Sequence, residues 1–243
     1  MSITDRLIAN LQRHVELGPD ELKRLASLTV DRRNFRDGEV IISADDKLKR
    51  SCVLAEGLAL RVHPADGLNR KRVITAVHVP GDFVDLHGFL LSRLRHDVVA
   101  SGAVVMDFVQ HDELREITRT HPRLTRILMM CTAIDAAVNR TWLMAAASLQ
   151  ATAHLAHLLC EIYVRLEQAG VAAGRQMRIP LLQRDLADML GYSTVHVNRA
   201  VRELRDSGAL RWNGQDIEIL NWDELTRIGR FKPNYLWLSA HRQ

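Results

Sequence analysis

The segment Pro180–Leu210, PLLQRDLADMLGYSTVHVNRAVRELRDSGAL, decides how the C-terminal part of this chain folds. Its apolar residues recur at helical spacing in two blocks, which predicts a short helix over 182–190 followed by a second, longer helix. Gly191 supplies the backbone freedom that ends the first helix, and Ser193 has the hydroxyl that caps the second. Two helices joined by a short glycine-containing turn form the helix-turn-helix pattern, whose second helix lies in the DNA major groove.

The second helix carries a basic face opposite its apolar stripe. At about 100° per residue, Val195, Arg199 and Arg202 point directly away from the stripe. Arginine matches the O6 and N7 acceptors of guanine, asparagine matches adenine, and valine packs on a thymine methyl. Neutral donors near helix starts commonly hold phosphates. A merely solvated face beside Glu203 is the alternative. The residues that we expect to bind DNA are Gln183, Ser193, Thr194, Val195, His196, Asn198, Arg199 and Arg202.

A hairpin is predicted directly after the two helices. Asn213-Gly214 lies between two short runs of strand character, and this dipeptide is the strongest local signal for a two-stranded turn. Helix, turn, helix and hairpin in this order make a winged helix, whose wing lies along the phosphate backbone. The order therefore strengthens the DNA-binding interpretation.

The composition is that of an ordinary globular protein. The 243 residues are 47% hydrophobic and 26% charged, which is enough for two modest cores. A net charge of +4 permits nucleic-acid binding without requiring it. Cys52, Cys131 and Cys160 are far apart and lack CxxC spacing, so we expect reduced, mostly buried thiols. The N-terminus is amphipathic, and no apolar run approaches the ~20 residues of a membrane span. We expect a cytoplasmic protein with no membrane partner.

Short strands separated by turn dipeptides fill residues 33–109. The predicted turns are Asp37-Gly38, Glu56-Gly57, Asp66-Gly67 and Pro80-Gly81. This pattern of short strands and turns predicts a small β-sandwich or jelly-roll barrel. Because barrels of this kind are common ligand containers, we expect a sensor domain.

Residues 122–147 contain no helix breaker, and their apolar residues recur at alternating steps of three and four. This heptad-like spacing predicts a long helix that pairs with a second copy of the chain. A winged helix that reads a palindrome needs such a two-fold partner. The alternative is a helix packed on its own barrel. The predicted dimer interface consists of Leu124, Leu128, Cys131, Ile134, Asp135, Val138 and Trp142.

Barrel, long helix and winged helix in this order resemble the Crp/Fnr family of bacterial transcription regulators, and the resemblance covers nearly the whole chain. It is carried by QRDLADMLGYSTVHVNRAVRELRDSGAL at 183–210, PGDFVDLHGFLL at 80–91 and HPRLTRIL at 121–128. The tail NWDELTRIGRFKPNYL at 221–236 is similar to a subgroup common in α-proteobacteria.

The resemblance implies an α+β protein with three parts: a cyclic-nucleotide-binding-like β-barrel (jelly roll) over 1–118, a dimerisation helix over 119–148 and a winged helix-turn-helix over 149–243. It also implies a sequence-specific DNA-binding transcription regulator that acts as a homodimer on a two-fold operator. An unidentified small effector in the barrel would reorient the DNA-binding heads, and RNA polymerase would be a further partner.

The chain departs from the family's pattern in two places. Familiar members begin the recognition helix with Ser-Arg-Glu-Thr-Val, whereas this chain reads STVHV at 193–197, so only the guanine contact of Arg199 carries over. The family's cyclic-nucleotide cassette has Gly-Glu-Leu and an Arg-Ser or Arg-Thr pair, which are missing here. We therefore expect an effector other than cyclic AMP. The candidate effector-pocket residues are Gly81, Asp82, Phe83, Arg93, Arg95 and His96. Three cysteines cannot supply the four thiolates of an iron–sulfur cluster, so we expect no cofactor.

Two other hypotheses remain open at this point. In the first, the barrel is only a dimerisation scaffold of a constitutive DNA-binding regulator. In the second, Asp82, Asp85 and His87 hold a metal in an enzyme or sensor, since carboxylates and imidazole are suitable ligands. Their spacing matches no closed metal motif, however, and no Ser-His-Asp group, phosphate-binding glycine loop or kinase signature is present. We therefore expect no enzymatic activity.

Overall fold

Strands dominate the first half of the chain and helices the second half in the computed structural model, which describes residues 3–65 and 71–238. The predicted turn at Asp66-Gly67 lies outside the described residues. The first half contains α1 (Ile3–Gln12), α2 (Pro19–Ala26), β1 (Val30–Phe35), β2 (Val40–Ile42), β3 (Arg50–His63), β4 (Val73–His78), α3 (Gly88–Leu91), β5 (Asp97–Gln110) and α4 (His111–Thr120). The second half contains α5 (Pro122–Ser148), α6 (Ala151–Gln168), β6 (Gln176–Arg178), α7 (Gln183–Leu190), α8 (Thr194–Asp206), β7 (Leu210–Asn213), β8 (Asp216–Ile219), α9 (Trp222–Gly229) and a 3-10 helix (Pro233–Leu236). Among the described helices, none combines the length and the hydrophobicity that a membrane span requires.

The N-terminal sheet is antiparallel, with the strand order β1-β5-β3-β4 and with β2 paired to β5. Its two longest strands, β3 and β5, pair along most of their length. The predicted turn at Glu56-Gly57 is wrong, because β3 continues through it with a shift of register. Gly57 has φ +85°, and a Cβ there would lie 2.4 Å from the carbonyl oxygen of Ala103. Only glycine therefore lets the strand bend at this point without ending.

Three apolar clusters hold the chain together. The first belongs to the N-terminal sheet and contains Leu54, Leu94 and Met106, which are almost inaccessible to solvent. The second joins α1, α2 and α4 to the beginning of α5. The third and largest contains residues of β3 and β4 together with the C-terminal head, which consists of α6 and the described residues that follow it (151–238). Sheet and head consequently share one continuous core.

Polar contacts reinforce the packing of the head against the sheet. Arg72 precedes β4 and donates from Nε to Asp188 at 2.8 Å, and it also donates to Asp185. The Ser101 hydroxyl donates to the carbonyl oxygen of Pro180 at 2.8 Å. Because Asp185 and Asp188 belong to α7, these contacts fix the orientation of that helix relative to the sheet.

The inner face of α5 packs within its own protomer, which corrects the predicted dimer interface. Leu124, Leu128 and Val138 are at most 7% exposed and belong to the apolar clusters of this chain. Cys131 and Ile134 pack against the same clusters. Leu124, Leu128 and Val138 are therefore not available to a partner, and the alternative, a helix packed on its own barrel, describes them. Cys131 and Ile134 are half-buried, and their place at an interface stays a prediction.

The two remaining members of the predicted interface are held by polar contacts inside the protomer. Asp135 accepts a hydrogen bond from Arg61 of β3 at 2.9 Å. Trp142 donates from Nε1 to the carboxylate of Glu161 in α6 at 3.1 Å. Asp135 therefore connects α5 to the sheet, and Trp142 connects it to the head.

The three thiols are free and lie in different parts of the molecule. Cys52 belongs to the cluster of the sheet, Cys160 to the largest cluster, and Cys131 packs beside the second one. Burial raises the pKa of all three thiols, that of Cys131 to about 12. They are consequently protonated and poorly reactive at neutral pH.

Candidate DNA-binding surface

Helices α7 and α8 are joined by three residues, of which two set the geometry. Gly191 has φ +75°, the left-handed conformation that ends α7, and its N–H donates to the carbonyl oxygen of Ala187. The Ser193 hydroxyl oxygen accepts from the backbone N–H of His196 at 3.4 Å and caps α8. Both local predictions are confirmed.

Tyr192, the middle residue of the turn, is an anchor that sequence reasoning missed. Its hydroxyl donates to the carbonyl oxygen of Leu149 at 3.0 Å, and its ring lies edge-on to His154 with 6.1 Å between centroids. Leu149 lies between α5 and α6, so this contact connects the helix-turn-helix to the end of the long helix. An aromatic residue in a turn indicates an anchor, but the sequence does not identify its partner.

Helix α8 divides into a buried and an exposed face as predicted. Val197, Ala200 and Leu204 are at most 1% exposed. All the residues predicted to bind DNA are exposed, and Val195 is 73% exposed although it is apolar. The set comprises Gln183 at the start of α7 and Ser193, Thr194, Val195, His196, Asn198, Arg199 and Arg202 at or in α8. The structure leaves these side chains accessible, and their contacts with DNA stay predictions.

Weak, exposed contacts hold Arg199 in the free protein. Its Nε lies 3.6 Å from Oε1 of Glu203, and both side chains are more than half exposed. Ion pairs of this kind contribute little in water. Glu203 also accepts from the hydroxyl of Thr152 in α6. Arg199 can therefore leave Glu203 for a base edge at small cost, while Glu203 keeps a partner.

The predicted hairpin is confirmed, and it carries basic residues that sequence reasoning did not single out. Asn213 pairs with Asp216, which leaves a two-residue turn between β7 and β8, and β6 adds a third strand on the other side of β8. Arg211 pairs with Glu218 across the hairpin, and Arg178 lies 4.0 Å from Asp216. The wing arginines are thus exposed but balanced by neighbouring carboxylates in the free protein.

The predicted effector-pocket residues do not form one pocket. Gly81, Asp82 and Phe83 line a cavity between the sheet and the helices. Arg93 and Arg95 are exposed, and both donate to Asp45 on a neighbouring loop. The turn that follows α3 directs these two arginines outward, which is why they are separated from the cavity.

His96, the sixth predicted pocket residue, is buried in a group of histidines instead. Its ring lies 5.5 Å from the rings of both His63 and His87, centroid to centroid. Burial, reinforced by the positive charge of Arg61, lowers the pKa of His96 to about 3 and that of His78 well below its usual value. Both histidines are therefore neutral at physiological pH.

This burial predicts a loss of stability in mild acid. Histidines of the unfolded chain take up protons near pH 6.5, whereas folded His96 does so only at much lower pH. Because the folded pKa lies below the unfolded one, stability is lost as the pH falls below the unfolded value, by about 2 kcal/mol at pH 5 for His96. Asp85 has the opposite effect on stability. Burial raises its pKa to about 7, so its protonation favours the folded state as the pH falls.

Urea unfolding at pH 7, 6 and 5 isolates the contribution of His96. The His96→Gln variant should lose about 2 kcal/mol less than the wild type between pH 7 and pH 5. The matched control is His196→Gln, on the exposed face of α8, which should follow the wild type. Identical pH profiles for the two variants would contradict the burial of a neutral His96.

The metal-site alternative finds no support in the described residues. Asp82 accepts hydrogen bonds from Asn10 and Arg165 and from the backbone N–H of Val79, so it closes a turn. Asp85 accepts from the backbone N–H of Cys52 at 2.7 Å. Within 3–65 and 71–238, no group of three His, Cys, Asp or Glu side chains is arranged to hold a metal ion.

Comparisons with known proteins assign both halves of the chain. Residues 32–121 match the model of the cyclic nucleotide-binding domain, and residues 153–228 match that of the Crp-like helix-turn-helix domain. The regulatory protein HlyX of Actinobacillus pleuropneumoniae is 20% identical over 210 residues, which cover 86% of each chain. The solved structure of FixK2 from Bradyrhizobium japonicum aligns with a TM-score of 0.71 and 21% identity, over 83% of this chain and 98% of that one. The structure of a CooA mutant from Carboxydothermus hydrogenoformans aligns with a TM-score of 0.65 and 14% identity, over 92% of this chain and 95% of that one.

Proposed function

Since this chain belongs to the Crp/Fnr family of DNA-binding transcription regulators, we propose that it acts as a homodimer on a two-fold DNA site. The observation that carries the proposal is the accessible polar face of α8. This face offers arginine and asparagine side chains that match base edges. The opposite face of α8 is buried in the core, which holds the helix in place. RNA polymerase is the further partner that we infer from family membership.

In the proposed complex, the N-terminal half of α8 lies in the major groove. Arg199 binds guanine through its two parallel donors, and Val195 packs on a thymine methyl. Gln183 and Ser193 lie at helix starts and hold phosphates, which orients the head without reading sequence. The wing follows the neighbouring backbone, where Arg178 and Arg211 exchange their carboxylate partners for phosphates.

The partner copy packs on the outer face of α5, opposite the face that the sheet and α6 cover. Met129, Ala136 and Leu143 recur there at intervals of seven residues, the spacing of a two-stranded coiled coil. Met129 is 62% exposed, Leu143 is 71% exposed and Ala136 is half-buried, so the described residues leave most of this stripe uncovered. Large apolar side chains in a row on a surface mark an interaction site.

Two further observations support a second copy as the occupant of this face. The stripe extends over about 20 Å along the helix, and Met144, which is 68% exposed, enlarges the apolar surface beside Leu143. Two copies joined along this face would present two α8 helices to the same DNA, as a two-fold site requires.

Selection from a random pool of duplex DNA tests the proposal. We expect the selected sequences to contain an inverted repeat with half-sites one helical turn apart, ~10 base pairs from centre to centre. The affinity should fall steeply with salt concentration, because phosphate contacts release counterions. Enrichment of a single asymmetric half-site would contradict the dimer, and the absence of any enrichment would contradict sequence-specific binding.

A further inference from the structure

The helix-turn-helix is held by directed polar contacts at two separate points. One point is its turn, where the Tyr192 hydroxyl donates to the carbonyl oxygen of Leu149, between α5 and α6. The other is α7 itself, where Asp185 and Asp188 accept hydrogen bonds from Arg72, next to β4. Apolar burial is non-directional, so directed contacts have the larger part in fixing the rotation of this unit. A contact at the turn alone leaves rotation about the turn, and the contacts of Arg72 oppose that rotation.

The guanidinium of Arg72 makes one contact to each of two carboxylates. Its Nε donates to Asp188 at 2.8 Å, and its Nη2 donates to Asp185. The planar guanidinium holds these donors in a rigid fork, so two simultaneous contacts fix the direction of the side chain as well as its position. Because the two carboxylates are three positions apart, they lie on one face of α7. The fork therefore holds nearly one turn of that helix.

These contacts are sheltered from water. Asp185 is buried, and Arg72 and Asp188 are half-buried. Ion pairs that are shielded from water are stronger and less screened by salt than freely solvated pairs. The pair of Arg199 with Glu203 on α8, in which both side chains are more than half exposed, is of the freely solvated kind. The contacts of Arg72 consequently restrain a helix more firmly than a surface ion pair does.

Asp185 connects the beginning of α7 to the edge of the sheet. Its Oδ2 accepts from the backbone N–H of Leu182 at 2.9 Å, while its Oδ1 accepts from Arg72. Arg72 precedes β4, which is the last strand in the order β1-β5-β3-β4. The residue after Leu182 is Gln183, which holds a phosphate in the proposed complex. One carboxylate thus sets where this phosphate contact lies relative to the sheet.

We propose that Arg72 is a positioning residue for DNA binding, because it fixes the rotation of the helix-turn-helix and thereby the half-site spacing that the dimer accepts. The inference rests on the proposed function. Two α8 helices bind both half-sites only if their separation matches that of the sites. A fixed rotation preorganises this separation, so less ordering is needed on binding. Without Arg72 the heads adopt a range of rotations, and operators with different spacings bind more nearly alike.

The test measures binding of the full chain to operators that differ only in spacing. The selected operator is compared with operators whose half-sites are one or two base pairs closer together or farther apart, by fluorescence anisotropy. The wild type should prefer one spacing about tenfold or more, because a wrong spacing prevents simultaneous binding of both half-sites. Arg72→Ala should reduce this preference about threefold or more. Its base preferences within each half-site should be those of the wild type, since the exposed face of α8 is unchanged.

Further variants separate positioning from a general loss of charge. Lys71→Ala is the matched control, because Lys71 is exposed and carries the same charge one position earlier; it should keep the wild-type spacing preference. Arg72→Lys should retain part of the preference, since an ammonium group lacks the rigid fork. Arg72→Asp should abolish it. Adding Asp188→Arg to Arg72→Asp should restore it in part, because opposite charges again face each other between β4 and α7.

Hydrogen exchange tests the same contacts in the free protein, without DNA. The amides of α7 should exchange about fivefold or more faster in Arg72→Ala than in the wild type, because the helix opens more readily once its connection to the sheet is lost. Lys71→Ala should exchange as the wild type does.

The outcomes separate the positioning role from its alternatives. A wild-type spacing preference in Arg72→Ala, or a charge exchange that restores nothing, overturns the positioning role. An equal loss of affinity at every spacing also overturns it, because Arg72 then acts through overall stability or through direct contact with DNA. Failure of the proposed function is distinguishable. A chain that enriches no DNA refutes that function, and the exchange rates of α7 still show whether Arg72 holds this helix.

Discussion

The Leu143→Glu variant should be a monomer that binds the selected operator at least about 100-fold more weakly than the wild type. In the proposed dimer, Leu143 of one copy packs against the same helix of the other. The substitution buries two unpaired carboxylates at a two-fold axis, and an uncompensated buried charge costs ~3–5 kcal/mol. A monomer then presents a single α8 and loses the gain from binding both half-sites together.

Sedimentation equilibrium and operator titration measure the two effects on the same sample. Leu90→Glu is the matched control, because Leu90 is an equally large apolar residue that is 75% exposed, on α3 rather than α5. It should remain dimeric and bind DNA normally. A dimeric Leu143→Glu protein with wild-type affinity would place the interface elsewhere. A monomeric wild type that binds the operator tightly would remove the need for a dimer.

The Arg199→Ala variant should lose the preference for one base pair in each half-site. A bidentate arginine–guanine contact contributes ~1–3 kcal/mol of discrimination, so the variant should accept all four base pairs at that position. Its fold should be unaffected, because Arg199 is 65% exposed and pairs only loosely with Glu203, at 3.6 Å. Competition titrations with operators substituted one position at a time measure the change.

Gln183→Ala is the matched control for the readout by Arg199. Gln183 is exposed at the first turn of α7 and is assigned to a phosphate, so its removal should weaken binding to every sequence alike, by about 1 kcal/mol. If Arg199→Ala instead keeps the wild-type selectivity, α8 does not enter the groove with this face. A change of selectivity in Gln183→Ala would contradict its assignment to the backbone.

The long helix shows where periodicity stops being informative. The inner residues Leu124, Leu128 and Val138 and the outer residues Met129 and Leu143 all follow helical or heptad spacing. Spacing identifies a face that will be covered, but it does not say which object covers it. The spacing predicts a partner on the inner face, whereas the structure buries Leu124, Leu128 and Val138 of that face in the same chain.

The winged helix-turn-helix could be predicted from the residues alone, because its signals are local. The glycine that ends α7, the serine that caps α8 and the turn at Asn213-Gly214 act through backbone atoms a few residues away. Such contacts form in the same way wherever the segment is placed. The exposed face of α8 follows from the same helical period.

Which distant residues meet could not be predicted from local signals. The fold separates Arg93 from Asp82, although the two are only eleven positions apart in the sequence, and it brings Arg13, His78 and Arg165 to one cavity from three distant segments. Contacts of this kind depend on how whole elements pack, and packing is set by the summed burial of many side chains. No short stretch of sequence contains that sum, so the cavity became visible only when the fold was complete.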